Sequence, residues 1–313
     1  MSNVKNKANA KGRKAAPGTI RVKQKISLTP YLLLLPWFIG ITVFRIYPLI
    51  LSFWYSLLDI HFLTRQQTFI GFENYRHAFQ NSFIFWPSVA ATFRYVLIGT
   101  PLVLIVAFFV AFVLNFKLKA INLFRTAYYV PSILGGNVAV SVLWNQVFAP
   151  AGPVNTVLGV FGVDPIPWRT TETFAPFMLI LLSAWQFGSV MIIFLAGLQN
   201  VSPSLYEAAS IEGASRTRQL FKITIPIVTP MILFNTVNVL VRHFQEFNSA
   251  WLITGGGPNG ATRFLNIYIF QQAFGGANNF GYASALTWIL LSMIGILSII
   301  LFQSQKHWVH YND

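Results

Sequence analysis

The chain has 313 residues, of which 55% are hydrophobic and only 10% charged, and its net charge is +14. Because an average soluble domain carries roughly 25% charged residues, this composition excludes a disordered chain and disfavours a soluble enzyme. The absence of Cys excludes disulfides, thiolate zinc sites and cysteine nucleophiles.

The N-terminus is strongly basic, since eight of the 22 Lys and Arg residues lie within the first 25 positions. A basic run can bind nucleic acid, but this one stands directly before an apolar segment, which favours a membrane protein and no nucleic-acid partner. We expect a basic cytoplasmic tail over 1–29, a transmembrane domain over 30–304 and a cytoplasmic C-terminus over 305–313.

Long stretches without acidic or basic residues predict an all-α, polytopic protein of the cell (plasma or inner) membrane, because a spanning helix needs about 20 mostly apolar residues. A β-barrel is disfavoured, since residues 96–114 are apolar on every face. The six predicted transmembrane helices cover residues 30–58, 88–115, 121–148, 174–199, 227–253 and 283–304.

The distribution of Lys and Arg predicts the topology. Fifteen lie in the N-terminal tail, the loops 116–125 and 200–225 and the C-terminus, whereas four lie in the three alternate loops. Positive charge is retained in the cytoplasm, so both termini are expected there. In the third outer loop, residues 264–274 are too short to span and predict a surface helix at the outer interface.

The inner loop 202–226 predicts a compact helix–turn–helix. Ser202 is a good N-cap and Pro203 a good first helical residue. Gly213 suits a left-handed helix stop because it has no Cβ, and Ser215 can cap a second short helix. Small residues on the exposed side of the first helix permit close approach of a partner.

The residues of this loop resemble the EAA signature of permease subunits from binding-protein-dependent ABC importers: Glu207-Ala208-Ala209, Gly213, Ile223, Ile225 and Pro226 stand at the spacing of that signature. Ile225 replaces the usual Leu. Segments around Tyr47-Pro48, residues 71–75, residues 254–258 and residues 281–285 resemble the sugar-importer subfamily, in particular the first permease of the maltose, lactose and glycerol-phosphate systems.

The resemblance implies a subunit that catalyses no chemistry and has no cofactor of its own. It implies a second homologous permease, two ATPase subunits that carry ATP and Mg, and an extracellular or periplasmic solute-binding protein that delivers a sugar. The residues that it assigns to ATPase coupling are Glu207, Ala208, Ala209, Gly213 and Pro226. Without the resemblance, an ordinary amphipathic hairpin explains the loop about as well as a partner-binding helix.

Polar side chains within the predicted spans are candidates for the substrate pathway, because such groups normally face the bundle interior or a wet cavity. The alternatives are interhelical hydrogen bonds and a structural ion pair between Arg242 and Glu246, which stand four residues apart. For that pair the two interpretations are about even. The candidate pathway residues are Asn235, Asn238, Arg242, Glu246, Trp185 and Gln186.

Other functions remain open. Apart from Arg125, which is counted with the loop 116–125, the basic residues inside the predicted spans are Arg45, Arg94 and Arg242. An unbalanced cation attracts anions, so an anionic cargo such as a uronate oligosaccharide or a sugar phosphate is the alternative to a neutral sugar. A stand-alone secondary transporter is less favoured, because no internal repeat is evident. The five His residues do not form the His-Glu-x-x-His pattern, and no metal site is expected.

Overall fold

The computed structural model describes residues 29–61, 66–116, 120–276 and 278–310. The predicted basic tail, except its last residue, lies outside the described residues, as do Lys117 and Lys119 of the first predicted inner loop. The chain divides into two units, residues 1–49 and 50–313, and each is described by itself.

In the first unit, an apolar helix α1 (Thr29–Ile41) continues into a π-helical turn (Thr42–Ile46) and the start of α2 (Tyr47–Ser56). Most side chains from Tyr31 to Ile39 are exposed, as is usual for a helix whose neighbours are lipid or another chain. Tyr31–Ser56 is long and apolar enough to cross a membrane. The predicted first span, 30–58, therefore ends two residues too late.

The second unit begins with a small folded element that the sequence did not predict. Strands β1 (Leu58–His61) and β2 (Gln66–Phe69) pair antiparallel, with Leu58 opposite Phe69. A short helix α3 (Glu73–Arg76) and a π-helical turn (His77–Asn81) follow. The buried Asn74 side chain donates to the carbonyl oxygens of Ser56 and Leu58, both at 2.9 Å, and so fastens the hairpin to the bundle.

Helices form most of the rest of the second unit. Their bounds are α4 (Phe85–Leu114), α5 (Ile121–Leu134), α6 (Val138–Val147), α7 (Pro153–Val160), α8 (Phe174–Trp185), α9 (Gly188–Gln199), α10 (Pro203–Ile211), α11 (Arg216–Gln219), α12 (Ile225–Phe244), α13 (Asn248–Thr254), α14 (Leu265–Phe274) and α15 (Phe280–Trp308). A π-helical turn, Leu220–Thr224, joins α11 to α12.

Within the described residues, four helical stretches are long and apolar enough to span a membrane: Tyr31–Ser56, Phe85–Leu114, Arg216–Phe244 and Phe280–Trp308. Two bent pairs raise the number to six if each pair is one span. These are α5 with α6, bent by 107°, and α8 with α9, bent by 45°. The chain is thus a polytopic helical membrane protein.

Three of the predicted spans are wrong as continuous helices. The predicted span 121–148 is broken near Gly135, and the predicted span 174–199 is broken after Trp185. The predicted span 227–253 ends at Phe244 before the separate helix α13 begins. Residues at all three breaks line one cavity, where non-helical backbone at membrane depth is tolerated.

The prediction of a surface helix is wrong for α14. The sequence suggested a surface helix over 264–274, but Leu265, Ile267 and Tyr268 are buried. Leu265 and Tyr268 pack in one apolar cluster with Phe85, Phe244 and Leu286. Its backbone is also fastened to α4, because the amide of Leu265 donates to Thr92 Oγ1 at 2.9 Å. The helix is therefore part of the core.

Candidate functional site

A polar cavity of about 480 Å³ lies where three interruptions in the helical bundle meet. Discontinuous helices commonly build transporter binding sites, because their free ends expose backbone and side-chain polar groups. The cavity is lined by Ser132, Gly135, Gly136, Gln186, Val237, Asn238, Val241, Arg242, Gln245, Glu246, Phe247, Asn248 and Ser249.

The first interruption separates α5 from α6. Gly135 has φ +58°, a left-handed conformation that glycine adopts without steric cost. Asn137 then caps α6, its Oδ1 accepting from the amide of Val140 at 2.8 Å. A Cβ on Gly136 would stand 2.8 Å from Ser249 Oγ, so glycine at this position lets α13 approach the break.

The second interruption separates α8 from α9 and places Gln186 on the cavity wall. The next helix starts at Gly188, where a Cβ would overlap the carbonyl oxygen of Tyr128 and lie 3.1 Å from Ser132 Oγ. Glycine therefore sets the close packing of α9 on α5. This contact holds the α5–α6 and α8–α9 breaks beside each other.

The third interruption follows α12 and contributes both charges. Because the helix ends at Phe244, Arg242 and Glu246 are not a helical i,i+4 pair, and among the described residues they form no ion pair within 4.0 Å. Glu246 Oε1 instead accepts from the amide of Ser249 at 2.9 Å. The Arg242 side chain is exposed and lines the cavity. A structural ion pair, one of the two about equally favoured interpretations of these residues, is therefore not formed in this structure.

The six predicted pathway residues do not all meet. Asn238, Arg242, Glu246 and Gln186 line the cavity, whereas Asn235 and Trp185 do not. Asn235 is buried against α9, its Nδ2 standing 3.4 Å from the carbonyl oxygen of Val190. The Trp185 ring instead packs on Trp144, with the ring centroids 5.7 Å apart.

The sequence did not reveal the role of His243, which lies next to Arg242 but does not line the cavity. The imidazole is buried between three helices. Its Nδ1 lies 2.9 Å from Thr100 Oγ1 of α4, and its Nε2 lies 2.6 Å from Ser183 Oγ of α8. His243 therefore links α12, the helix that carries Arg242, to two neighbouring helices.

The loop 202–226 has the predicted two-helix form. Helix α10 begins at Pro203, Gly213 has φ +78°, and Ser215 Oγ accepts from the amide of Arg218 at 3.3 Å. Ser202 occupies the N-cap position, but its hydroxyl bonds Ser204 Oγ at 2.8 Å instead of a backbone amide.

Three of the predicted coupling residues lie on α10, whereas Gly213 follows that helix and Pro226 lies in the first turn of α12. Glu207 and Ala208 are exposed, while Ala209 and Pro226 are partly covered. A hydrogen bond of 2.9 Å between the hydroxyls of Tyr206 and Thr224 fastens α10 to the segment that leads into α12. In the part of the chain that the structure describes, no group of three or more His, Asp or Glu residues could hold a metal ion.

Residues 85–309 match the family of binding-protein-dependent transport system inner membrane components. The chain belongs to this family and is an ABC transporter permease, a multi-pass protein of the cell membrane. The family is a transport family, so the chain is not an enzyme.

Several proteins are similar to this chain along most of its length. It is 42% identical to a probable ABC transporter permease, YesP, of Bacillus subtilis over 93% of this chain and 94% of that protein. It is 30% identical to the lactose transport system permease LacF of Rhizobium radiobacter over 91% and 96% of the two chains.

The fold is also shared with a solved structure, a bacterial alginate ABC transporter in complex with an alginate pentasaccharide-bound periplasmic protein. The TM-score is 0.76 at 22% identity, and the match covers 89% of this chain and 94% of that one.

Proposed function

We propose that this chain forms half of the pathway by which an ATP-driven importer carries a sugar or oligosaccharide across the cell membrane. The observation that carries the proposal is the cavity at the three helix breaks. Amide side chains of Gln186, Asn238, Gln245 and Asn248 line it, and amides can pair with hydroxyl groups as both donors and acceptors. The similarity to a lactose permease supports a carbohydrate cargo.

The proposed assembly contains a second homologous permease, two ATPase subunits that bind ATP and Mg, and an external solute-binding protein. The exposed α10 surface supports the ATPase partners, because Glu207 is free to pair with a cation and Ala208 leaves room for a close contact. The proposed orientation has six spans and cytoplasmic termini, which would place α10 in the cytoplasm beside the ATPases.

We propose that α10 transmits motion from the ATPases. The Tyr206–Thr224 hydrogen bond connects α10 to the base of α12, and the far end of α12 carries Asn238 and Arg242 at the cavity. Movement of α10 with a closing ATPase would therefore displace the cavity end of the same helical rod, as a rigid-body mechanism requires.

An anionic carbohydrate is the second candidate cargo. Its support is the position of Arg242, which faces the cavity without an ion pair to Glu246 among the described residues. A guanidinium offers a planar pair of donors that matches a carboxylate or phosphate. Glu246 lines the same cavity, and its negative charge is the argument for a neutral cargo.

The proposed function is tested by uptake of labelled oligosaccharide into proteoliposomes that contain the assembled importer and its binding protein. Asn238→Leu and Gln186→Leu should raise the KM for uptake, because each removes an amide from the cavity wall. The control is Gln303→Leu, an exposed amide on α15. Unchanged uptake in both cavity variants would contradict a cargo pathway through this cavity.

A further inference from the structure

Two adjoining cavities lie beside α4, away from the pathway cavity. The first, about 450 Å³, is lined only by apolar side chains, among them Ile105, Phe109 and Phe221. The second, about 490 Å³, is lined by polar groups as well. Phe112 and Leu220 line both, so the two cavities adjoin at these side chains. Together they are called the groove below, with an apolar end and a polar end.

The apolar end lies on helical stretches that are long enough to span a membrane, α4 and Arg216–Phe244. Two of the side chains that line it are largely exposed, since Phe109 is 65% and Phe221 61% exposed. The rings of Phe108 and Phe112 on α4 and of Phe116 just after it follow one another at intervals of four residues, with centroids 6.4 and 5.3 Å apart. This row of rings leads from the apolar end into the polar end.

The polar end lies at the base of the loop 202–226. The Gln219 amide is already used there, since it donates to Ser210 Oγ at 3.0 Å and to the carbonyl oxygen of Ala214 at 3.1 Å. Arg216 also lines this end, and its guanidinium is exposed and makes no ion pair or side-chain hydrogen bond within the described residues. One positive charge is thus left for an external anion.

We propose that this groove binds one anionic phospholipid, with an acyl chain along Phe109 and Phe221 and the phosphate beside Arg216. An acyl chain matches a groove without polar lining, and a basic residue next to a bilayer attracts acidic headgroups. Under the proposed orientation, this lipid belongs to the cytoplasmic leaflet. It would contact both α4 and the segment that joins α10 to α12.

The test uses phosphatidylglycerol and phosphatidylcholine that carry the same photoreactive acyl chain, each added at trace level to vesicles containing the assembled importer. Adducts are mapped by peptide mass spectrometry. We expect phosphatidylglycerol to label residues 105–116 and 220–232 more strongly than phosphatidylcholine does. Arg216→Gln should lower this labelling roughly fivefold, the factor that about 1 kcal/mol per basic residue implies.

Two variants control for folding and for charge. Arg218→Gln removes an equally exposed charge two residues away that does not line the groove, and it should label like the wild type, while Arg216→Lys should keep most of the preference. Equal labelling by the two lipids, or equal loss in the two Gln variants, would overturn the proposal. So would the absence of lipid adducts on residues 105–116 and 220–232, the result expected if a second permease fills the groove in place of lipid.

Discussion

His243 and Ser183 form a hydrogen bond of 2.6 Å between the imidazole Nε2 and the hydroxyl oxygen, and this bond joins α12 to α8 inside the bundle. The other ring nitrogen reaches Thr100 on α4. The imidazole therefore positions the end of α12 from which Arg242 and Asn238 face the cavity.

Removing this link should lower stability. Ser183→Ala deletes one interhelical hydrogen bond, which in membrane proteins averages about 0.6 kcal/mol. His243→Ala deletes two and leaves a void, so we expect a loss of about 2 kcal/mol or more. The measurement is the thermal unfolding midpoint of the assembled importer in detergent. His307→Ala, an exposed position, is the control, and a shift as large as that of His243→Ala would contradict this role.

The close approach of α5 and α9 should be sensitive to a single methyl group. Gly188→Ala places a Cβ against the Tyr128 carbonyl and Ser132, so the two helices must separate and uptake should fall severalfold. Gly295→Ala is the matched control, because a Cβ there meets nothing within 4 Å and Ala favours a helix by about 1 kcal/mol. The uptake rate and the amount of inserted protein are measured for both. Equal behaviour of the two variants would refute the packing argument.

Two substitutions of Gly213 in the loop 202–226 should reduce uptake to different degrees. Gly213→Ala has space for its Cβ, and only the left-handed backbone costs about 1–2 kcal/mol, so uptake should fall in part. Gly213→Pro cannot adopt φ +78° and should abolish uptake while the protein still inserts.

The negative charge of Glu207, the exposed carboxylate on α10, should be needed for coupling to ATP hydrolysis. Glu207→Lys reverses the charge offered to the ATPase and should abolish transport-coupled ATP hydrolysis, whereas the isosteric Glu207→Gln should reduce it less. Binding-protein-stimulated ATPase activity is the measurement. If Glu207→Lys retains full stimulation, this carboxylate takes no part in coupling.

A substitution of Arg242 tests whether the cargo is anionic or neutral. If the cargo is anionic and meets this side chain, Arg242→Gln should reduce uptake of the charged sugar at least tenfold more than uptake of a neutral analogue. A difference of that size corresponds to about 1.4 kcal/mol. Equal loss for both sugars would leave Arg242 a structural group and remove the support for an anionic cargo.

Local signals predicted the helix–turn–helix form of the loop 202–226 well. Pro203 at a helix start, Gly213 at a left-handed stop and Ser215 as a cap act through their own backbone geometry, and the structure has each in that role. Gly135-Gly136-Asn137 carries the same kind of signal, since glycine favours a break and Asn a helix cap. The prediction of a continuous helix over 121–148 is wrong there, because it rests on the apolar residues around these three and not on their backbone preference.

The predicted pathway residues show that the sequence does not reveal which side chains a neighbouring helix buries. Asn235, Asn238 and Arg242 share a helix face by spacing. However, α9 packs against Asn235 and buries it, whereas Asn238 lines the cavity. Likewise, neighbouring residues His243 and Arg242 differ because Thr100 and Ser183 lie on one side only. Which neighbour covers which turn of a helix is fixed by tertiary packing, which periodicity does not report.

The most direct test of the account is the energy source of uptake. Proteoliposomes containing this chain, the second permease, the ATPase pair and the binding protein should accumulate labelled oligosaccharide only when ATP is supplied on the ATPase side. Vanadate should stop the uptake. Accumulation that continues without ATP, or that follows an imposed proton or sodium gradient instead, would contradict the account.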